Sequence, residues 1–114
     1  KLDVDKMKRE ASYLVGEHDF KSFCAVGAQV KTTTRTIYSC EVEKDGNDII
    51  TIRVTGNGFL YNMVRIIAGT LIRVGGGEMA PDEIPQILGK KDRTAAGPTA
   101  PAHGLTMMGS EYGE

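Results

Sequence analysis

The sequence predicts an α+β domain of two layers, a mainly antiparallel sheet with helices packed on one face. Three observations carry this reading. Ile37 and Tyr38 lead into Cys40 and Val42, with Ser39, Glu41 and Glu43 alternating against them, and Ile50, Ile52 and Val54 alternate with Thr51, Arg53 and Thr55. Both runs have period two and so one buried face each, and Asp45, Gly46 and Asn47 supply the turn between them, which makes a hairpin. Leu60, Val64, Ile67, Leu71 and Val74 recur at steps of four, three, four and three. That is one face of a helix over about 59–74. After a proline-bearing loop, Leu105, Met107 and Gly109 fall on one side of a late strand that joins the sheet.

Taken in order, residues 3–16 read as a helix with Met7, Ala11, Leu14 and Val15 as its apolar stripe. Asp3 or Asp5 is its candidate cap and Gly16 its stop. GEHDFKSFC reads as a loop or short turn, in which Phe20 and Phe23 plug the loop onto the core rather than stack on bases. The hairpin and the long helix follow. Asp82 and Glu83 then open a short helix that Gly89 ends. The order is helix, strand, strand, long helix, short helix, strand, with no repeats, and the second face of the sheet is left for another partner.

The long helix carries a second stripe, Asn62, Arg65, Gly69 and Arg73. Gly69 in mid-helix costs about 1 kcal/mol relative to alanine, so another backbone or a ligand is expected to approach there. Arg65 has apolar neighbours on both sides, and an arginine so placed calls for a carboxylate or phosphate partner.

The 114 residues suffice for one domain and are too few for two of ordinary size. With 40% apolar and 25% charged residues the composition is that of a soluble globular protein. No apolar run is long enough to span a bilayer and no signal peptide is visible, so no membrane partner and a cytoplasmic location are expected. The chain begins at Lys1 and is expected to be an excerpt of a longer polypeptide. Two cysteines, Cys24 and Cys40, read as reduced thiols rather than a bridge. The net charge of −1 does not announce a nucleic-acid binder, but its distribution is uneven. Glu41, Glu43, Asp45 and Asp48 crowd one segment, while residues 49–77 hold three arginines and no acid. Lys31, Arg35, Arg53, Arg65 and Arg73, with Thr32, Thr33 and Thr34, are candidates for phosphate contacts, weighed against a neutral solvated face.

Gly56-Asn57-Gly58 sits between a strand and a helix as a dinucleotide fingerprint would, but the third glycine position holds Tyr61, and a hairpin is not followed by a parallel crossover. His18, Cys24 and His103 lack the spacing of a thiol site or a zinc site.

The words VGEHDFKSFC, TTTRTIYSCEV, GNGFLYNMVRIIAGTLIRVG and KKDRTAAGPTAPAHGL, in this order and spacing, resemble the C-terminal half of the bacterial tRNA pseudouridine synthase A family. The resemblance runs from about Leu14 to the end. It implies a ferredoxin-like or RRM-like domain and conversion of uridine to pseudouridine in the tRNA anticodon stem-loop. The family's catalytic aspartate, in an arginine-threonine-aspartate segment, and its active-site tyrosine belong to an N-terminal half absent from this sequence. Asp92-Arg93-Thr94 mimics that segment, but no aspartate follows Thr94. The resemblance casts Arg65 as the arginine that pairs with the missing aspartate, with the stripe of Asn62, Arg65, Gly69 and Arg73 facing the cleft between halves. It also implies Asn62 and Leu105 at the substrate and Lys31, Arg35 and Arg73 on RNA. The implied partners are tRNA, the N-terminal half of the same polypeptide and a second copy in a homodimer, with no cofactor and no metal. A domain that only binds RNA or dimerises on this fold is the competing expectation.

Overall fold

The computed structural model describes residues 2–47 and 49–101, and the backbone of 106–110. The chain runs α1 (Val4–Ser12), β1 (Gly16–Asp19), β2 (Thr34–Lys44), β3 (Ile50–Gly56), α2 (Met63–Gly75), α3 (Glu83–Lys90) and β4 (Thr106–Ser110). Short 3₁₀ turns occupy Lys21–Phe23 and Arg93–Ala95. The strands form one sheet in the order β1-β2-β3-β4. β1 and β3 flank β2 antiparallel, and β4 pairs parallel with β3. The sheet is thus mainly antiparallel, and a parallel crossover does follow the hairpin, through α2 and α3.

The hairpin forms as its alternation requires. Cys40 pairs with Val54, Glu41 with Arg53 and Val42 with Ile52, after an irregularity in register between Ile37 and Ser39. The Asp45 carboxylate accepts the N–H groups of Asn47 (2.8 Å) and Ile49 (3.0 Å), which fixes the turn. Ile37, Val42, Ile52 and Val54 join α1 and α2 in one core. Glu41 and Arg53 pair at 3.1 Å on the other, polar face.

Several boundaries differ from expectation. α1 stops at Ser12, Leu14 stays buried and Val15 is exposed. Gly16, at φ +111, opens an edge strand instead of ending a helix. β1 lacks alternation because an edge strand buries little; its GEHD sequence is charged, as short edges often are. Asp3 caps α1 through Lys6 N–H (3.1 Å). α2 begins at Met63, four residues late, because Asn62 is left-handed and ends the preceding turn. Gly89 lies inside α3, which ends at left-handed Lys91. Phe20 and Phe23 are fully buried and meet edge to face, sealing the loop as plugs. Of the late strand, Leu105 lies outside the described residues.

Nine of the thirteen residues of α2 are buried, far more than a single stripe. Ile66, Ile67 and Leu71 join the core, and Gly69 and Thr70 are met by the segment after α3. A Cβ built on Gly69 would stand 1.7 Å from the Pro98 carbonyl oxygen, and one on Gly97 would stand 2.8 Å from Thr70 Cα. Two glycines, one on each partner, let these backbones touch.

Candidate functional site

The stripe of Asn62, Arg65, Gly69 and Arg73 survives only in part as an open face. Residues 97–100 of the same chain cover Gly69, so the approaching backbone is the protein's own. Arg65 and Asn62 lie at the N-terminal end of α2. Arg73 lies two turns on, about 12 Å along the axis at 1.5 Å per residue. It is exposed and pairs loosely with Glu78 at 3.7 Å.

Arg65 is half-buried. Its Nε–H donates to Ala100 O at 2.9 Å, and Ala100 N–H donates back to Arg65 O at 2.9 Å. Among the described residues no carboxylate pairs with its guanidinium, and its two terminal nitrogens have no partner. A guanidinium held by its inner nitrogen, with the outer fork free, suits two-point binding of a planar anion. Asn62 holds φ 60° and ψ 10° with no side-chain bond to its own helix, so its amide is also uncommitted.

The remaining candidates are dispersed. Arg35 spends its Nη1 on the carbonyls of Thr32 and Thr34, each at 2.8 Å, and lies against the Gly58 turn. Lys31 is exposed on the loop before β2. Leu105 is outside the described residues. The Gly56-Asn57-Gly58 turn closes on β2, because Asn57 exchanges two hydrogen bonds with Thr36 and a Cβ on Gly56 would meet Thr36 O at 2.6 Å. It is a turn and not a phosphate cradle.

Asp92-Arg93-Thr94 is committed to structure. Asp92 Oδ1 accepts Thr94 N–H (3.0 Å) and Thr94 Oγ1–H (2.9 Å), which holds its carboxyl below the usual range. Arg93 donates to Gly97 O (2.8 Å) and Thr99 Oγ1 (3.4 Å). Asp92, Arg93 and Thr94, with Lys21, Cys24, Val26, Thr33 and Lys91, border a cavity of about 420 Å³; of the phosphate-contact candidates it takes Thr33, and Arg65, Asn62, Lys31, Arg35 and Arg73 do not line it.

Both cysteines are free. Burial pushes the Cys24 thiol up, and burial with Glu41 beside it pushes Cys40 up to about 12, so neither is an activated nucleophile. His18 bonds Val15 O at 3.0 Å and packs edge-on to Phe20. Among the described residues no group of three or more His, Cys, Asp or Glu is arranged to hold a metal, and no helix is long and apolar enough to cross a membrane.

Sequence reasoning missed Thr70, Arg93 and Gly97 as a unit. Its one local signal was the pair of glycines, Gly69 within a helix and Gly97 within a loop.

The architecture defines a two-layer α+β domain with a half-buried, helix-borne arginine whose Nε is held by Ala100 O. The profile of the tRNA pseudouridine synthase family matches residues 11–113. The chain is 57% identical over 112 residues to a tRNA pseudouridine synthase A of Brevibacillus brevis, covering 97% of this chain and 45% of that protein. Against the Bacillus pumilus protein of the same name identity is 56% over 107 residues, covering 94% and 43%. Against that of Bacillus subtilis it is 49% over 112 residues, covering 98% and 45%. The chain therefore belongs to the tRNA pseudouridine synthase family, and it spans less than half the length of these relatives.

Proposed function

We propose that this chain is the C-terminal part of a tRNA pseudouridine synthase that isomerises uridine in the anticodon stem-loop. The observation that carries the reading is Arg65, anchored through Nε to Ala100 O while its outer nitrogens meet no carboxylate among the described residues. The missing acid is the aspartate of the N-terminal half of the same polypeptide. Arg65 holds that carboxylate ionised and oriented by a charge-assisted pair in a partly dry cleft. The target uridine is flipped from its stack. Its bond to nitrogen is cut with help from the carboxylate, the base turns, and a bond to carbon forms. No cofactor or metal takes part. Asn62 and Leu105 border the uracil, and Lys31, Arg35 and Arg73 meet phosphates. The protein is cytoplasmic, and RNA crosses both subunits of a homodimer.

The test uses the full-length polypeptide that carries this chain, with unmodified tRNA and chemical mapping of pseudouridine. Arg65→Lys keeps the charge but loses the planar fork and the Nε anchor. It should lose most turnover while its stability changes by no more than about 1 kcal/mol. Near-wild-type turnover would remove Arg65 from the site. The chain by itself, lacking the aspartate and tyrosine, should make no pseudouridine above a no-enzyme control. Its tRNA binding should be weak and fall steeply with salt.

A further inference from the structure

The helix alone does not orient Arg65. Ala100 grips it at two points, through Nε–H to O and N–H to O, both 2.9 Å. Where Ala100 lies depends on how residues 97–100 sit on α2. Gly97 N–H donates to Thr70 Oγ1 at 2.8 Å, and that hydroxyl donates to Ile66 O, also at 2.8 Å. Arg93 donates from Nη1 to Gly97 O (2.8 Å) and from Nη2 to Thr99 Oγ1 (3.4 Å). Pro98 fills the notch at Gly69. Thr70 is fully buried, and Arg93 forms no ion pair among the described residues. A cation and a buried hydroxyl are thus committed to one short segment whose last residue holds Arg65.

We propose that Thr70 and Arg93 are positioning residues for Arg65: by docking residues 97–100 on α2 they fix the direction in which the guanidinium presents its outer nitrogens. The proposal rests on the reading of Arg65 as partner to a carboxylate from the other half. A fork that must meet two oxygens tolerates little rotation, and fixing Nε removes the rotation that matters most.

Thr70→Val keeps the shape and loses the hydroxyl, whereas Thr70→Ser keeps the hydroxyl. Arg93→Ala removes the other clip from a half-buried position, so the proposal does not depend on one variant folding. The first readout is exchange of the Arg65 Nε–H proton, followed by NMR in this chain. It should quicken about ten-fold in Thr70→Val and in Arg93→Ala and stay near wild type in Thr70→Ser. The second readout is kinetics of the full-length polypeptide. In both variants kcat should fall roughly 10- to 100-fold, with KM for tRNA within about two-fold of wild type. A carboxylate that loses its guanidinium titrates higher, so the acid limb of the kcat–pH profile should move to higher pH. A merely structural role would lower the melting temperature and move neither the limb nor Nε–H exchange. Unchanged exchange in both variants overturns the proposal. So does an unmoved kcat and acid limb in a polypeptide whose Arg65→Lys variant is inactive, and that result leaves the reading of Arg65 standing. Full turnover by Arg65→Lys overturns both.

Discussion

The N-terminal ends of α2 and α3 use the same backbone device and finish it differently. Asn62 before α2 and Asp82 before α3 are both left-handed, at φ 60° and 62°, and neither side chain caps its own helix. At α3 the rest of the chain closes the end. Glu10, 1% exposed, accepts the N–H groups of Asp82 (2.6 Å) and Ile84 (3.3 Å). The Asp82 carboxylate takes the Tyr13 hydroxyl and Arg9 Nη2 (3.0 Å). At α2 no side-chain oxygen among the described residues bonds the first-turn N–H groups, and the Asn62 amide and the outer nitrogens of Arg65 are unspent. Helix ends leave N–H groups that need partners. An end that the chain satisfies from within is architecture. The end left open is where Asn62 and Arg65 lie.

The largest expected effect breaks the floor under the open end. Gly69→Ala gains about 1 kcal/mol of helix propensity but puts its Cβ 1.7 Å from a backbone oxygen, so Pro98 must move. A net loss of about 3 kcal/mol or more is expected in urea unfolding, with turnover of the full-length protein lost as Ala100 leaves Arg65. A midpoint at or above wild type would show that residues 97–100 are not docked as described.

Next comes the closed end. Glu10→Ala strands two N–H groups, one in the core, and should cost about 2–3 kcal/mol, while Glu10→Gln keeps one acceptor and should cost about half as much. Turnover well below the unfolding midpoint should be unchanged. If Glu10→Ala abolished catalysis in a folded protein, the division between closed and open ends would fail.

A smaller effect separates the two left-handed residues. Glycine relieves φ near +60° at either site. Asn62→Gly should leave stability within about 0.5 kcal/mol of wild type and still reduce turnover. Asp82→Gly should lower the unfolding midpoint, because it removes the acceptor of Tyr13 and Arg9, and leave turnover alone. Opposite results would reassign which end is functional.

The smallest effect is electrostatic. The hydrogen bond to Asp82 holds the Tyr13 phenol above its ordinary value, and the same bond, followed by the charge of Arg9, holds Asp82 below the usual carboxylate range. The raised phenol contributes stability that is present below the ordinary tyrosine range and lost as pH rises through its folded value. The lowered carboxyl contributes stability that is present above the ordinary carboxylate range and lost as pH falls through its folded value. Arg9 and Asp82 are solvent-exposed and Tyr13 is half-buried, so the effect is screened and small. NMR titration of Tyr13 should show the raised value in wild type and its return toward normal in Asp82→Asn. An identical titration in the two proteins would remove the bond.

The elements that were legible in the sequence each carry their signal within one segment. Alternation located the hairpin, Asp45 its turn, and the 3.6-residue period the long helix. Gly69 announced a close backbone approach because its cost inside a helix needs a reason. Arg65 stood out as a cation among apolar neighbours. Less could be read where the signal is shared between distant segments. GEHD has no alternation, so its pairing with residues 34–37 leaves no mark. β4 runs parallel to β3 because α2 and α3 intervene, a relation that no local pattern encodes.

By itself the sequence determined where helices and strands can form, which faces are apolar, and which arginine lacks a reason to be where it is. These follow from propensity and periodicity, which act over a few residues. Only the tertiary structure decided that the visitor to Gly69 is Pro98 of the same chain, that Glu10 is buried to close α3, and that Ala100 grips Arg65. Each is a meeting of groups from 29 to 74 residues apart in the chain. Such meetings depend on how the layers stack once many buried side chains have been fitted together, and no single stretch of sequence contains that information.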